Sequence, residues 1–165
     1  MIKKHYYTWQ DVERMCVSIV NQMYADNWRP DYIVGITRGG NVPATIISNM
    51  TSIRCEALKV ALRDGDSHHE SNCWMAEDAF GYFQQGHEQE GKNILVVDDI
   101  NDTGATFNWI MQDWKAGCLP NDPKWNNVFG NNVRFATLTE NGASEFDKVN
   151  YTCHEINKEE EDVWL

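Results

Sequence analysis

Three aspartates, Asp98, Asp99 and Asp102, fall within five positions of the stretch ILVVDDINDTGATF, which runs from Ile94 to Phe107. The aliphatic run before them reads as a buried strand, so the acids stand at its carboxyl end, where their mutual repulsion calls for a partner. Ionised carboxylates only accept hydrogen bonds, which makes hydroxyl groups or a divalent cation their natural partners. The turn that follows, Thr103-Gly104-Ala105-Thr106, suits the opposite charge. A glycine at the entry to a helix lets backbone amides approach a ligand, and helix N-terminal N–H groups favour an anion. Thr103 and Thr106 add hydroxyl donors. No lysine follows, as it would in a loop for nucleotide β- and γ-phosphates, so the fit is to a single phosphate monoester. A phosphate beside two hydroxyls describes a ribose 5-phosphate, with Asp102 close enough to act as a base at the sugar's reactive carbon.

A second unusual stretch lies upstream. YIVGITRGGN, from Tyr32 to Asn41, reads as a short strand broken by Thr37-Arg38-Gly39-Gly40. An arginine alone is more often a surface cation; the Gly-Gly setting gives Arg38 a functional reading.

Both stretches need elements to hold them. Thr8, three residues ahead of Asp11, resembles a capping box with Asp in place of Glu or Gln. Val12, Met15, Cys16, Ile19, Val20 and Met23 then recur at helical spacing, which predicts a helix over about residues 9–26. RPDYIVGI reads as a strand, and Pro43 is placed to open a helix carrying Ile46, Ile47 and Met50. RCEALKVALR is a strand candidate of mixed propensity. NILVVDD is the strongest strand of the chain, and TGATFNWIMQDW is helical, with Phe107, Ile110, Met111 and Trp114 on one stripe. VRFATL and KVNYTCHEI supply two more strands after a turn-rich loop. Strands alternating with helices predict an α/β fold with a central parallel sheet. Ligands of such sheets sit beyond the carboxyl ends of the strands, where both unusual stretches fall.

From Asp64 to Lys92 the sequence turns polar and irregular, which predicts a flap over about 64–92. His68 and His69, with Glu70 and Cys73, match no standard metal-ligand spacing and read as a solvated loop. Trp9, Trp109 and Trp114 read as core or interface residues, and the acidic run EINKEEED as solvated. The chain of 165 residues is long enough for one domain, here 1–165, with a full core. Its net charge of −11 disfavours nonspecific binding to nucleic acid or to an anionic membrane. Five scattered cysteines without a C-x-x-C pair fit reduced thiols in the cytoplasm. The start has no apolar segment of the kind a signal peptide needs, and no apolar run approaches the roughly 20 residues of a membrane span.

The residues on these stretches carry a family likeness. ILVVDDINDTGATF resembles the phosphoribosyl-pyrophosphate motif of type I phosphoribosyltransferases, in which aliphatic residues precede two acids and a D-T-G-x-T loop follows. YIVGITRGGNVPATIIS resembles the pyrophosphate loop of the family's purine salvage branch. YTWQDVERMC and EEEDVWL look like the two ends of its xanthine-guanine type. The resemblance implies a type I phosphoribosyltransferase fold with a small hood, built from about 142–165 plus N-terminal residues. By position, Asp98 and Asp99 would hold the ribose hydroxyls and help to position Mg²⁺, with Asp99 as the metal residue. Thr103, Gly104, Ala105 and Thr106 would wrap the 5′-phosphate. Thr37, Arg38 and Gly39 would hold pyrophosphate, with a cis peptide at Thr37–Arg38. Asp102 would take a proton from the base as the glycosidic bond forms, under the closed flap. Asn141, Trp164 and Leu165 would line the nucleobase pocket.

The implied partners are phosphoribosyl pyrophosphate and a purine base, in a homodimer or homotetramer, with no nucleic acid and no membrane. Where purine enzymes of this type carry a lysine that contacts the 6-oxo group, this chain has Thr-Glu-Asn, leaving Glu140 or Asn141 at or near that position. An amide hydrogen-bonds a carbonyl without adding charge, whereas a carboxylate prefers an amino group. Two rival readings are a non-catalytic sensor of phosphoribosyl pyrophosphate and a transferase acting on another nucleobase. The net charge counts against a nucleic-acid-binding sensor, and the intact Asp102 against loss of catalysis.

Overall fold

The computed structural model describes residues 3–4, 6–60, 73–81, 83–84, 87–88, 90–157 and 163–164. Its first half runs β1 (Lys3–Lys4), α1 (Trp9–Ala25), β2 (Tyr32–Thr37), α2 (Asn41–Thr51) and β3 (Cys55–Lys59). Next come α3 (Cys73–Phe80), β4 (Phe83–Gln84), β5 (His87–Glu88), β6 (Ile94–Asn101) and α4 (Ala105–Gly117). A 3-10 turn at Pro123–Asn127 leads to β7 (Val133–Asn141), β8 (Tyr151–Ile156) and β9 (Val163–Trp164).

Thr8 opens α1 as its sequence predicts. Its hydroxyl accepts from the Asp11 amide at 3.0 Å, while the Asp11 carboxylate accepts from the Thr8 amide at 2.8 Å. Two donors that the helix leaves without partners are thereby satisfied. Cys16, Ile19, Val20 and Met23 form the buried stripe. The helix that Pro43 was expected to open begins two residues earlier, at Asn41. Pro43 lies in its first turn, where a missing N–H breaks no ladder bond.

Five parallel strands make the central sheet, in the order β3–β2–β6–β7–β8. Helices cover both faces, so the middle strands are apolar on both sides. Alternate residues serve opposite layers. Tyr32, Val34, Val96 and Phe135 pack with Met75, Phe107, Ile110 and Trp114 of α3 and α4. Ile33, Leu95, Val97 and Ala136 pack with Cys16, Ile19, Met23 and Ile47 of α1 and α2. Each fully buried aliphatic or aromatic side chain contributes about 1.5–3 kcal/mol. Of the tryptophans, Trp114 is wholly buried and Trp109 packs against the core, whereas Trp9 is 73 % exposed.

The strand order reverses between β2 and β6: the chain moves outward from β2 to β3, then returns to β6 on the other side and continues outward. This reversal opens a crevice at the carboxyl ends of β2 and β6. At the chain ends, β1 pairs in parallel with β9, and the Tyr7 hydroxyl bonds His154 Nδ1 and Thr139 Oγ1 on the last two strands of the sheet. Among the described residues no helix is long and apolar enough to cross a membrane.

One expectation needs correction. The stretch read as irregular contains α3, with Met75, Ala76, Asp78, Ala79 and Phe80 buried in the core. Eight residues give barely two turns, too few for a helical period to register among the flanking polar residues. The beginning of the expected flap, 64–72, and with it His68, His69 and Glu70, lies outside the described residues, as does the end of the RCEALKVALR strand candidate. The anchor of α3 is Asp78, which accepts from the buried Tyr32 hydroxyl at 2.9 Å, with Lys92 Nζ 3.4 Å from its other oxygen. The ammonium is half exposed and adds little; the tyrosine hydroxyl is the larger stake. Asp78→Ala is expected to destabilise the protein by about 1–3 kcal/mol in urea denaturation, because it removes that buried hydrogen bond. Asp78→Asn, which keeps an acceptor, should lose less.

Candidate active site

The crevice is built from two loops. At the end of β2 the Thr37–Arg38 peptide is cis, as the resemblance implies. The chain then folds back tightly: the Gly40 amide donates to Ile36 O at 2.8 Å, the Asn41 amide to Arg38 O at 3.2 Å, and Asn41 Nδ2 to Thr37 Oγ1 at 3.2 Å. Arg38 and Gly39 are left exposed at the rim. Gly39 lies close to Asp99, since a Cβ there would stand 2.5 Å from Cγ of that exposed carboxylate. The two stretches that the sequence singled out therefore touch.

β6 carries Asp98 and Asp99 past the edge of the core. The Asp99 amide donates to Asp98 Oδ1 at 2.8 Å, and the Ile100 amide to Asp99 Oδ1 at 2.9 Å. Burial pushes the Asp98 carboxyl up to about 8, aided by its hydrogen bond with Asp99 and the negative charge there. Among the described residues no lysine or arginine forms an ion pair with either acid. No cluster of three or more ligating side chains occurs among them either. Two adjacent carboxylates with no closed cage fit Mg²⁺, which is held by one or two carboxylates and takes its remaining oxygens from substrate and water.

Beyond them the chain turns at Gly104, whose φ of +87° favours glycine and where a Cβ would meet the Phe146 amide nitrogen at 2.5 Å. The first ladder bond of α4 runs from the Asn108 amide to Gly104 O. The amides of Ala105, Thr106 and Phe107 thus have no partner in the helical ladder, and that of Ala105 donates instead to Thr103 Oγ1 at 3.3 Å. A brace unanticipated from the sequence holds this turn. Asn101, 3 % exposed, donates from Nδ2 to Phe146 O at 2.9 Å and accepts from Ser144 Oγ at 3.1 Å. The Glu145 amide donates to Thr103 O at 3.0 Å. The available signal was an uncharged amide buried among three acids.

Asp102 is met by Asn141, whose Nδ2 lies 3.0 Å from its main-chain oxygen and 3.3 Å from Oδ1. Glu140 faces Glu155 of β8 in register. Its carboxyl is raised by burial first and then by Glu155, with a hydrogen bond from Asn101 acting the other way. Trp164 is described only as part of β9, and Leu165 lies outside the described residues. A separate cleft of about 430 Å³, lined by Phe80, Glu90, Asn93, Lys124 and Asn132 among others, opens at the amino ends of β6 and β7. It lies away from the acids and from the end of the sheet that binds ligands in this class of fold.

The topology and the crevice define a type I phosphoribosyltransferase fold. The chain belongs to the phosphoribosyl transferase domain family, whose pattern it matches over residues 1–164. It is 25 % identical over 125 residues to xanthine phosphoribosyltransferase 1 of Saccharomyces cerevisiae, an alignment covering 67 % of this chain and 60 % of that protein. To the hypoxanthine-guanine phosphoribosyltransferase of Schizosaccharomyces pombe it is 27 % identical over 124 residues, covering 66 % and 58 %. The chain thus spans about three-fifths of the length of these relatives. The crystal structure of a purine phosphoribosyltransferase from Pyrococcus horikoshii superposes with a TM-score of 0.62 at 19 % identity, over 98 % of this chain and 91 % of that one.

The raised Asp98 gives a pH test. The folded protein binds this proton more tightly than the unfolded chain, whose carboxyl titrates near 3.8. The folded state therefore bears no cost below that value, loses stability as pH rises from there, and carries the full cost above about 8. In EDTA, Asp98→Asn should raise the melting temperature at pH 8 and leave it unchanged near pH 3.5. Thermal denaturation across that range checks the sign.

Proposed function

We propose that this protein transfers the 5-phosphoribosyl group from phosphoribosyl pyrophosphate to a purine base, releasing pyrophosphate and a nucleoside monophosphate. The observation that carries the reading is the contact of Gly39 with Asp99 at the β2/β6 crevice. It sets an arginine-bearing loop against a pair of acids, beside a helix N-terminus. The amides of Ala105 and Thr106, with the Thr103 and Thr106 hydroxyls and the left-handed turn at Gly104, bind the 5′-phosphate. Asp98 and Asp99 accept from the ribose 2′- and 3′-hydroxyls. The Thr37-Arg38-Gly39 loop binds pyrophosphate, with the Arg38 guanidinium opposing charge on the leaving group. The acids also hold Mg²⁺, which when bound neutralises charge on the departing pyrophosphate. At the ribose C1 the bond to pyrophosphate breaks as the bond to a base nitrogen forms. The same carboxylates face the positive charge that develops on the sugar. Asp102 accepts the proton that the base gives up.

A purine is supported by the names of the relatives, which act on xanthine or on hypoxanthine and guanine. An oligomer, dimer or tetramer, is supported by apolar side chains that α1 and α2 leave exposed, Trp9, Val17, Val42 and Met50. Five free thiols suit the cytoplasm.

Incubation with phosphoribosyl pyrophosphate, Mg²⁺ and a panel of purines and pyrimidines tests the reading. A nucleoside monophosphate is expected with at least one purine; tight binding without product from any base would favour a sensor. Asp102→Asn should lower turnover about 10²- to 10⁴-fold while calorimetry finds phosphoribosyl pyrophosphate binding nearly intact. Arg38→Ala should weaken pyrophosphate far more than ribose 5-phosphate, and equal losses would mean the loop has another role.

A further inference from the structure

We infer that Asn141 is a positioning residue for Asp102, acting on the nucleobase through that carboxylate. The inference rests on the transferase reading above. Asn141 is 6 % exposed, and its single NH₂ group approaches two atoms of one aspartate, the main-chain oxygen at 3.0 Å and Oδ1 at 3.3 Å. Contact with both the backbone and the carboxylate fixes the side-chain torsions of Asp102 relative to its own main chain. The amide is held in turn, because Oδ1 of Asn141 accepts from the Ala143 amide at 3.2 Å. That bond decides which end of the amide faces Asp102.

The register explains why this grip is rigid. Asn101 of β6 stands opposite Glu140 of β7, so Asn141 comes level with Asp102 one step further on. Asn141 is also the last residue of β7, an interior strand, and pairs with Ile156 of β8 on its other side. The donor is therefore built on the sheet, while Asp102 lies in the turn beyond β6. A strand end steadies a loop carboxylate better than another loop could.

The residue type suits the role. A neutral amide orients a carboxylate without forming an ion pair, whereas a lysine would set a full charge beside the base. With NH₂ committed to Asp102 and Oδ1 to Ala143, residue 141 influences the base by aiming Asp102. Misplacing a reacting group by about 1 Å costs on the order of 10²-fold in rate, which sets the expected size of the effect.

Steady-state kinetics on single and double variants test this. Asn141→Leu removes the donor at similar side-chain volume without adding a charge beside Asp102, and Asn141→Ala truncates the side chain. Each should lower kcat about 10²-fold with KM for phosphoribosyl pyrophosphate within about twofold. In an Asp102→Asn background the same substitutions should change kcat by less than about threefold, since they act through a group already disabled. Equal losses in both backgrounds, or a loss confined to KM for the base, would overturn the inference. Hydrogen exchange of the Asn141 side-chain NH₂ needs no substrate and should be faster in Asp102→Ala than in the parent; equal rates also overturn it. A parent that makes no nucleotide with any base sinks the transferase reading alone, and the exchange rates then decide the placement of Asn141.

Discussion

Everything at this site depends on how closely the backbone at Gly39 approaches the carboxylate of Asp99. A Cβ at residue 39 would displace the Asp99 carboxylate from where it stands. The approach is set by the sheet. β2 and β6 are neighbours in parallel register, Tyr32 with Ile94 through Gly35 with Val97, so their carboxyl ends come out together. The reversal of strand order at that point keeps any helix from covering the gap. One contact thus joins a cation-bearing loop to the distant stretch that holds two acids and the start of a helix.

The price of this arrangement is electrostatic. Asp98 is partly buried beside Asp99, and its carboxyl is raised well into the physiological range. Strong perturbation of a titratable group in a crevice is the pattern that functional sites share. A divalent cation and the hydroxyls of a ribose both remove the penalty, the first by charge and the second by donating. On the proposed function, the substrate and its metal would remove the electrostatic cost that Asp98 carries.

Much of this was legible in the sequence, for reasons that differ by element. The capping box at Thr8 and the stripe from Cys16 to Met23 are local patterns, and local patterns survive in the structure. The strand end with its acids and the glycine turn into α4 were legible because strand, acids, glycine and helix start lie in one uninterrupted run. α3 was not, because its two turns carry no period and Asp78 finds its partner, Tyr32, forty-six residues away. The Asn101–Phe146 and Asn141–Asp102 contacts escaped for the same reason. Asparagine announces nothing until a distant chain supplies its partner.

The overall charge bears on how an acidic protein would hold the phosphate-rich substrate proposed for it. At −11 the long-range field repels such an anion, so attraction must be short-ranged. Backbone amides at the start of α4 would provide this, because their partial charges are fixed by the fold. Arg38 at the rim is one placed cation where a basic surface would otherwise be needed. Screening by salt weakens the distant repulsion more than these contacts, which lie well inside a Debye length of roughly 8–10 Å. On the proposed function, moderate ionic strength would therefore favour the phosphate-bound state of this crevice. A site that worked through a cationic surface would respond in the opposite direction.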